Sequence, residues 1–164
     1  MKSRGERISC LTVYDYSFAH ILDQAGIEIL LVGDSLGMVI QGHETTLPVS
    51  MCNVLYHTQC VSRGCNSALV IADMPFGSYQ GSPQSAYENA ARLVGEVGAH
   101  MVKIEGGVVM AETVTFLVDR GIPVCGHIGL TPQSVNQLGG FRVQGREEST
   151  AEELRRDARN LEEA

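Results

Sequence analysis

Short apolar runs that stop at a polar side chain recur along this chain, and they constrain its fold more than any other feature. Ile29-Leu30-Leu31-Val32 leads through Gly33 to Asp34, Leu69-Val70-Ile71-Ala72 ends at Asp73, Met101-Val102-Lys103-Ile104 ends at Glu105, and Val124-Cys125-Gly126 ends at His127. Each run is too short for a buried helix yet apolar enough to be covered on both faces, the pattern of a strand in a parallel sheet. A looser run from Arg7 to Val13 predicts a further strand ahead of these four.

Helix-favouring segments fill the intervals. Tyr16 to Ala25 follows Asp15 as N-cap and closes at Gly26, and Ser50 to Arg63 has Gly64 as its stop signal. Ser82-Pro83 opens a helix that runs to Glu96, and Val109 to Arg120 closes at Gly121. Ser149 to Ala164 is charged and helix-favouring, with Glu153 and Asp157 on one face and Leu154, Ala158 and Leu161 on another. The irregular stretch from Asp34 to Pro48 is long for a connection, and loops of that size tend to carry function, while Met74 to Gly81 reads as a second loop. Thr131-Pro132 repeats the helix-opening pattern, but Gln133 to Arg146 is glycine-rich and reads mostly as loop, with Phe141 and Arg142 suited to a lid.

This alternation predicts an α/β fold, and two architectures compete: an open doubly wound sheet and a (β/α)8 TIM barrel. No G-x-G-x-x-G follows the first strand, which weighs against the nucleotide-binding open sheet. A closed barrel takes eight strands and typically ~250 residues. The expectation is therefore a single domain, residues 1–164, holding about the first five βα units of an incomplete barrel.

The net charge of −7, without any run of Lys or Arg, argues against nucleic acid or an anionic membrane as partner and leaves small molecules or other subunits. Five cysteines, odd in number and without a Cys-x-x-Cys pair, suit free thiols in a reducing cytosol. No signal peptide is visible and no apolar run approaches the ~18 residues of a membrane span, so the expected location is cytoplasmic.

In both architectures ligands sit at the C-terminal strand ends, where Asp34, Asp73, Lys103, Glu105 and His127 fall. Asp34 and Asp73 close consecutive strands ~4.8 Å apart and could share one ion, and oxygen donors without a His/Cys cluster favour Mg²⁺. The plainer reading of Asp34 is an N-cap on the turn that follows. Lys103 and Glu105, two apart on a strand, share a face and need each other or a ligand, because burying an unpaired charge is costly. The plainer reading of the two is a structural ion pair; beside two carboxylates, Glu105 reads instead as a direct or water-mediated metal ligand, Lys103 as the neutraliser of a substrate carboxylate or oxyanion, and His127 as a ligand-bonding group or an ordinary core histidine.

Six motifs occur in order: Thr12-Val13-Tyr14-Asp15-Tyr16, Val32-Gly33-Asp34-Ser35-Leu36-Gly37, Gly42-His43-Glu44-Thr45-Thr46-Leu47-Pro48-Val49, Ala72-Asp73-Met74-Pro75-Phe76, Val102-Lys103-Ile104-Glu105-Gly106-Gly107 and Gly126-His127-Ile128-Gly129-Leu130-Thr131-Pro132-Gln133. Together they resemble the ketopantoate hydroxymethyltransferase family across nearly the whole chain. The resemblance implies a (β/α)8 barrel in a cytoplasmic homo-oligomer. The implied enzyme transfers a hydroxymethyl group from 5,10-methylenetetrahydrofolate to 3-methyl-2-oxobutanoate through a Mg²⁺-stabilised enolate, giving 2-dehydropantoate for pantothenate and coenzyme A biosynthesis. It places metal ligands on Asp34, Asp73 and Glu105, substrate contacts on Asp34, Ser35, Asp73 and Lys103, and catalytic roles on Lys103 and His127. The family's general base, a glutamate on a later strand, has no counterpart before Ala164, and the short helix usually ahead of the first strand is also missing, so the expectation is a truncated member whose turnover alone is in doubt. Two other readings compete: a Mg²⁺-dependent 2-oxo-acid enzyme of the phosphoenolpyruvate/isocitrate-lyase type, and a non-catalytic chain that binds a 2-oxo acid or assembles with longer subunits.

Overall fold

The computed structural model describes residues 1–164. Five strands, β1 (Cys10–Thr12), β2 (Ile29–Val32), β3 (Leu69–Asp73), β4 (Met101–Glu105) and β5 (Val124–His127), form one sheet in the order β1-β2-β3-β4-β5. All four pairings are parallel. A doubly wound sheet reverses its strand order at a switch point, whereas here each strand lies beside the next in sequence, as in a barrel wall. The architecture is α/β, a partial (β/α) barrel of five strands, and β1 and β5 each pair on one side only.

The helices are α1 (Tyr16–Gln24), α2 (Leu36–Val39), α3 (Met51–Gly64), α4 (Pro83–Gly95), α5 (Ala111–Val118), α6 (Val135–Leu138) and α7 (Glu148–Glu163). None is long and apolar enough to cross a membrane. Leu30, Val32, Val70, Ala72, Val102 and Ile104 alternate along β2 to β4 and are fully buried. They pack against helix residues such as Ala19, Val61, Leu93 and Leu117. The intervening set, including Ile71, Asp73, Lys103 and Glu105, therefore faces the inside of the half-barrel, as the period of two along a strand requires.

Local chemistry explains most helix starts. The Asp15 carboxylate accepts from Phe18 N at the head of α1, and Ser50 and Ser82 form reciprocal capping boxes with Asn53 and Ser85. The Asp23 carboxylate, on α1, accepts from the backbone N–H groups of Asn66, Ser67 and Ala68 and so fastens the turn leading into β3.

The helix α3 ends at Gly64, within one residue of the expected stop, and the same glycine admits a neighbour: a Cβ there would sit 2.5 Å from the Tyr16 carbonyl oxygen, so its small size lets α3 pack against α1. Three local expectations are corrected. The 34–48 stretch is not irregular throughout, since α2 forms in it around the buried Leu36 and Gly37. The start of the supposed 133–146 loop is helical, a 3₁₀ turn at Pro132–Ser134 running into α6, because Pro132 presets the first turn and Gln133 and Val135 are buried. The helix expected from Val109 begins as a 3₁₀ turn at Val108–Met110.

Candidate active site

The strand ends gather the charged residues into one buried group. Asp34 is 4% exposed, Asp73 2% and Glu105 6%. The Asp34 side chain does not cap the turn that follows it. Its backbone N–H donates to Asp73 Oδ2 at 3.0 Å, and its own Oδ2 accepts from Gln133 Nε2 at 2.8 Å. Gly33 leaves room for the Ser35 hydroxyl beside this pair, since a Cβ there would lie 2.7 Å from Ser35 Oγ.

The sheet register decides which charges meet. Asp73 stands opposite Lys103, and Lys103 Nζ donates to Asp73 Oδ1 at 2.6 Å. Glu105 stands opposite His127, whose Nδ1 lies 3.1 Å from Glu105 Oε1. Lys103 and Glu105 thus share a face as expected but do not pair with each other. Each meets the residue across from it on the neighbouring strand. Glu105 Oε2 also accepts from the backbone N–H of Gln133 at 2.9 Å.

Electrostatics follow from burial. Asp34 is pushed up from the ordinary 3.8 to about 6, first by loss of water and then by the Asp73 carboxylate, while Gln133 and Lys103 pull the other way. Burial works to lower the Lys103 pKa, yet Asp73, Asp34 and Glu105 outweigh it and hold the ammonium above its usual range. In the protein alone, Lys103 therefore supplies the positive charge that balances Asp73.

No three His, Cys, Asp or Glu side chains converge closely enough to hold an ion as they stand. The physical reason is that Lys103 engages Asp73 while His127 and Gln133 engage Glu105. The donor chemistry still fits a hard divalent cation. Three carboxylates lie at adjacent strand ends, and Asp34 holds a charge its surroundings disfavour, with Gln133 bonded to only one of its oxygens. Asp34 and Asp73 would hold such an ion, with Glu105 reached directly or through water.

Ser35 and Tyr14 extend the group, with their hydroxyls 2.8 Å apart, and His57 Nδ1 lies 2.7 Å from the Tyr14 carbonyl oxygen. Tyr79 is fully buried; its hydroxyl accepts from Glu105 N at 3.0 Å and lies 2.8 Å from Gln133 Oε1. Beside Glu105 a cavity of about 410 Å³ opens, lined among others by Leu47, Phe76, Gln80, Val109, Gln133 and Asn136. Sequence reasoning missed Tyr14, Tyr79 and Gln133 as site residues. Tyr14 and Gln133 follow strands β1 and β5 within the motifs quoted above, and that placement was the available signal.

A family model described as ketopantoate hydroxymethyltransferase matches residues 1–164. The chain belongs to the ketopantoate hydroxymethyltransferase family. Within that family it is 61% identical over 164 residues to 3-methyl-2-oxobutanoate hydroxymethyltransferase of Thiobacillus denitrificans, covering 100% of this chain and 62% of the relative. The enzyme of the same name from Magnetococcus marinus is 54% identical over 164 residues, covering 100% of this chain and 61% of the relative. The chain thus spans about three-fifths of the length of these curated relatives. Among solved structures it is similar to phosphonopyruvate hydrolase in complex with oxalate and Mg²⁺, with TM-score 0.72, 13% identity, and coverage of 98% of this chain and 56% of that one. It is also similar to 2,3-dimethylmalate lyase of the PEP mutase/isocitrate lyase superfamily, with TM-score 0.66, 17% identity, and coverage of 97% and 56%. These two likenesses concern the fold, and they agree with a barrel wall rather than an open sheet.

Proposed function

We propose that this family member transfers a hydroxymethyl group from 5,10-methylenetetrahydrofolate to 3-methyl-2-oxobutanoate, giving 2-dehydropantoate on the way to pantothenate and coenzyme A. The observation that carries the reading is the buried Asp34–Asp73–Lys103 group at the strand ends of a chain matched end to end by the family. A Mg²⁺ ion held by Asp34 and Asp73, with Glu105 close by, would draw electron density from the 2-oxo group and make the neighbouring C3 proton easier to remove. Lys103 faces the same mouth and offsets negative charge that develops on the substrate oxygen. Ser35 and Tyr14 offer hydroxyls that orient the substrate carboxylate. His127 keeps Glu105 in place from the neighbouring strand. The cytoplasm and a homo-oligomeric assembly belong to the same proposal, supported by the family resemblance.

The test is calorimetric titration of 3-methyl-2-oxobutanoate with and without Mg²⁺, paired with NMR of C3 proton exchange in D₂O, which needs no folate. Binding that requires Mg²⁺ and prefers this branched 2-oxo acid over pyruvate and oxaloacetate is expected. Equal affinity without the cation, or a preference for oxaloacetate, would reject the reading. Enzyme-like exchange would in addition exclude a purely binding role.

A further inference from the structure

Gln133 is 6% exposed, and every hydrogen-bonding position of its side chain is occupied. Nε2 donates to Asp34 Oδ2 at 2.8 Å and to the Met74 carbonyl oxygen at 2.9 Å. Oε1 accepts from Tyr79 Oη at 2.8 Å and from Gln80 Nε2 at 3.1 Å. The amide cannot be turned over, because its oxygen would then face a carboxylate and a carbonyl, two acceptors without a proton between them. The backbone N–H of the same residue donates to Glu105 Oε2 at 2.9 Å. One residue after β5 therefore grips the acid at the end of β2 with its side chain and the acid at the end of β4 with its main chain, across the intervening β3.

We propose that Gln133 is a positioning residue that sets the spacing and orientation of Asp34 and Glu105 for the divalent cation and 2-oxo acid. This rests on the function proposed above, in which those carboxylates form the cation site. Strand spacing alone does not do this work. It places the strand ends ~4.8 Å apart but leaves each carboxylate free to rotate about its own χ angles. A neutral amide suits the task, since it holds a carboxylate by a donated proton without neutralising it and so leaves the charge available to a cation. Second bonds to Met74, Tyr79 and Gln80 fix the amide itself, and this kind of outer support for metal-ligating groups has large effects on affinity, ~10–100-fold where it has been removed.

The experiment measures Mn²⁺ binding by electron paramagnetic resonance, as loss of the free-ion signal, with and without 3-methyl-2-oxobutanoate. It compares the wild-type chain, Gln133→Met and Asn89→Leu. Methionine keeps the length of glutamine and removes its four side-chain hydrogen bonds, Asp34 among them, while the backbone N–H to Glu105 stays, so the variant tests the side-chain hold on Asp34. Asn89 Nδ2 donates to the Ser78 carbonyl oxygen at 2.7 Å and touches no carboxylate, so Asn89→Leu removes a loop-fastening bond from the same region. Gln133→Met is expected to weaken Mn²⁺ binding tenfold or more and to abolish its tightening by the 2-oxo acid, while Asn89→Leu changes both less than twofold. Thermal unfolding of each variant confirms that the comparison is made on folded protein. If Gln133→Met fails to fold, Gln133→Leu, which also removes the Nε2 donor without adding a charge or a metal-binding oxygen, takes its place with the same expectation. Mn²⁺ affinity within twofold of wild type in the Gln133 variant, or an equal loss in Asn89→Leu, would overturn the positioning role and leave the proposed function standing. Absence of Mn²⁺ binding in the wild-type chain would overturn both.

Discussion

Replacing Asp34 by Asn should make the metal-free protein more stable at neutral pH, and the gain should vanish in acid. The folded Asp34 carboxyl binds its proton with a pKa of about 6 against an ordinary value of 3.8. At ~1.4 kcal/mol per pH unit, that difference means ionised Asp34 costs the folded state about 3 kcal/mol once pH is well above 6. The sign follows from proton counting. Between about pH 4 and pH 6 the native state keeps a proton that the unfolded chain has lost, so the Asp34 contribution to stability falls as pH rises through that window and is flat on either side. Asparagine carries no charge to bury and retains an oxygen for Gln133 Nε2. Because every other titrating group is common to both chains, the stability difference between Asp34→Asn and wild type isolates this carboxyl. Urea unfolding in EDTA, followed by circular dichroism at pH 4 and pH 8, should show a gain of about 1–3 kcal/mol at pH 8 and little or none at pH 4. A difference that does not change with pH would refute the burial argument. Added Mg²⁺ should then raise the stability of wild type at pH 8 and leave the variant unchanged, by mass action on the folded state.

Lys103→Met leaves Asp73 buried beside Asp34 without its cation and should destabilise the protein by ~3–5 kcal/mol in urea unfolding; a loss below ~1 kcal/mol would show that the pair is dispensable. Gly107→Ala would place a Cβ 1.9 Å from Asp157 Cγ, push that side chain aside and break the Val108 N–Asp157 Oδ1 bond of 2.9 Å, loosening α7, which Leu161 and Ala164 still hold to the core. The expected cost is ~1–3 kcal/mol, with faster proteolysis between residues 139 and 147, and unchanged cleavage would argue against the contact. Asp23 is held down to about 2 by the Ala68 and Ser67 N–H groups first and Asn66 less strongly. Its stabilising effect is complete above the ordinary carboxylate value and lost as pH falls toward 2, so Asp23→Asn should lower the unfolding temperature at pH 7 and have progressively less effect below pH 4.

The sheet and its polar strand ends were legible because parallel strands buried on both faces leave unbroken apolar runs, and because Asp34, Asp73, Glu105 and His127 each sit where such a run stops. The shared face of Lys103 and Glu105 was legible for the same periodic reason. Their partners were not. Register between strands is a three-dimensional quantity, and it sets Lys103 against Asp73 and Glu105 against His127. Tyr79 and Gln133 escaped notice for a related reason. Each belongs to a connecting segment whose local sequence signals a turn, and their roles arise only where separate connections converge over the sheet. Gly64 marked the end of α3, but its second role was hidden, because glycine that admits a neighbouring backbone and glycine that ends a helix look alike in one sequence.

The strand order also allows the sheet to be built stepwise during folding. Cys10 pairs with Ile29 and Ile29 with Leu69, so every step of sheet assembly closes a loop of modest length and can be taken one βα unit at a time. The bond from Gln133 to Asp34 is different, because it joins residues 99 positions apart. It can form only when β2, β3, β4 and β5 are already side by side. Loss of Gln133 should therefore speed unfolding while leaving the folding rate almost untouched. The acids at the strand ends would acquire their mutual geometry in the last step, after the scaffold that carries them is built.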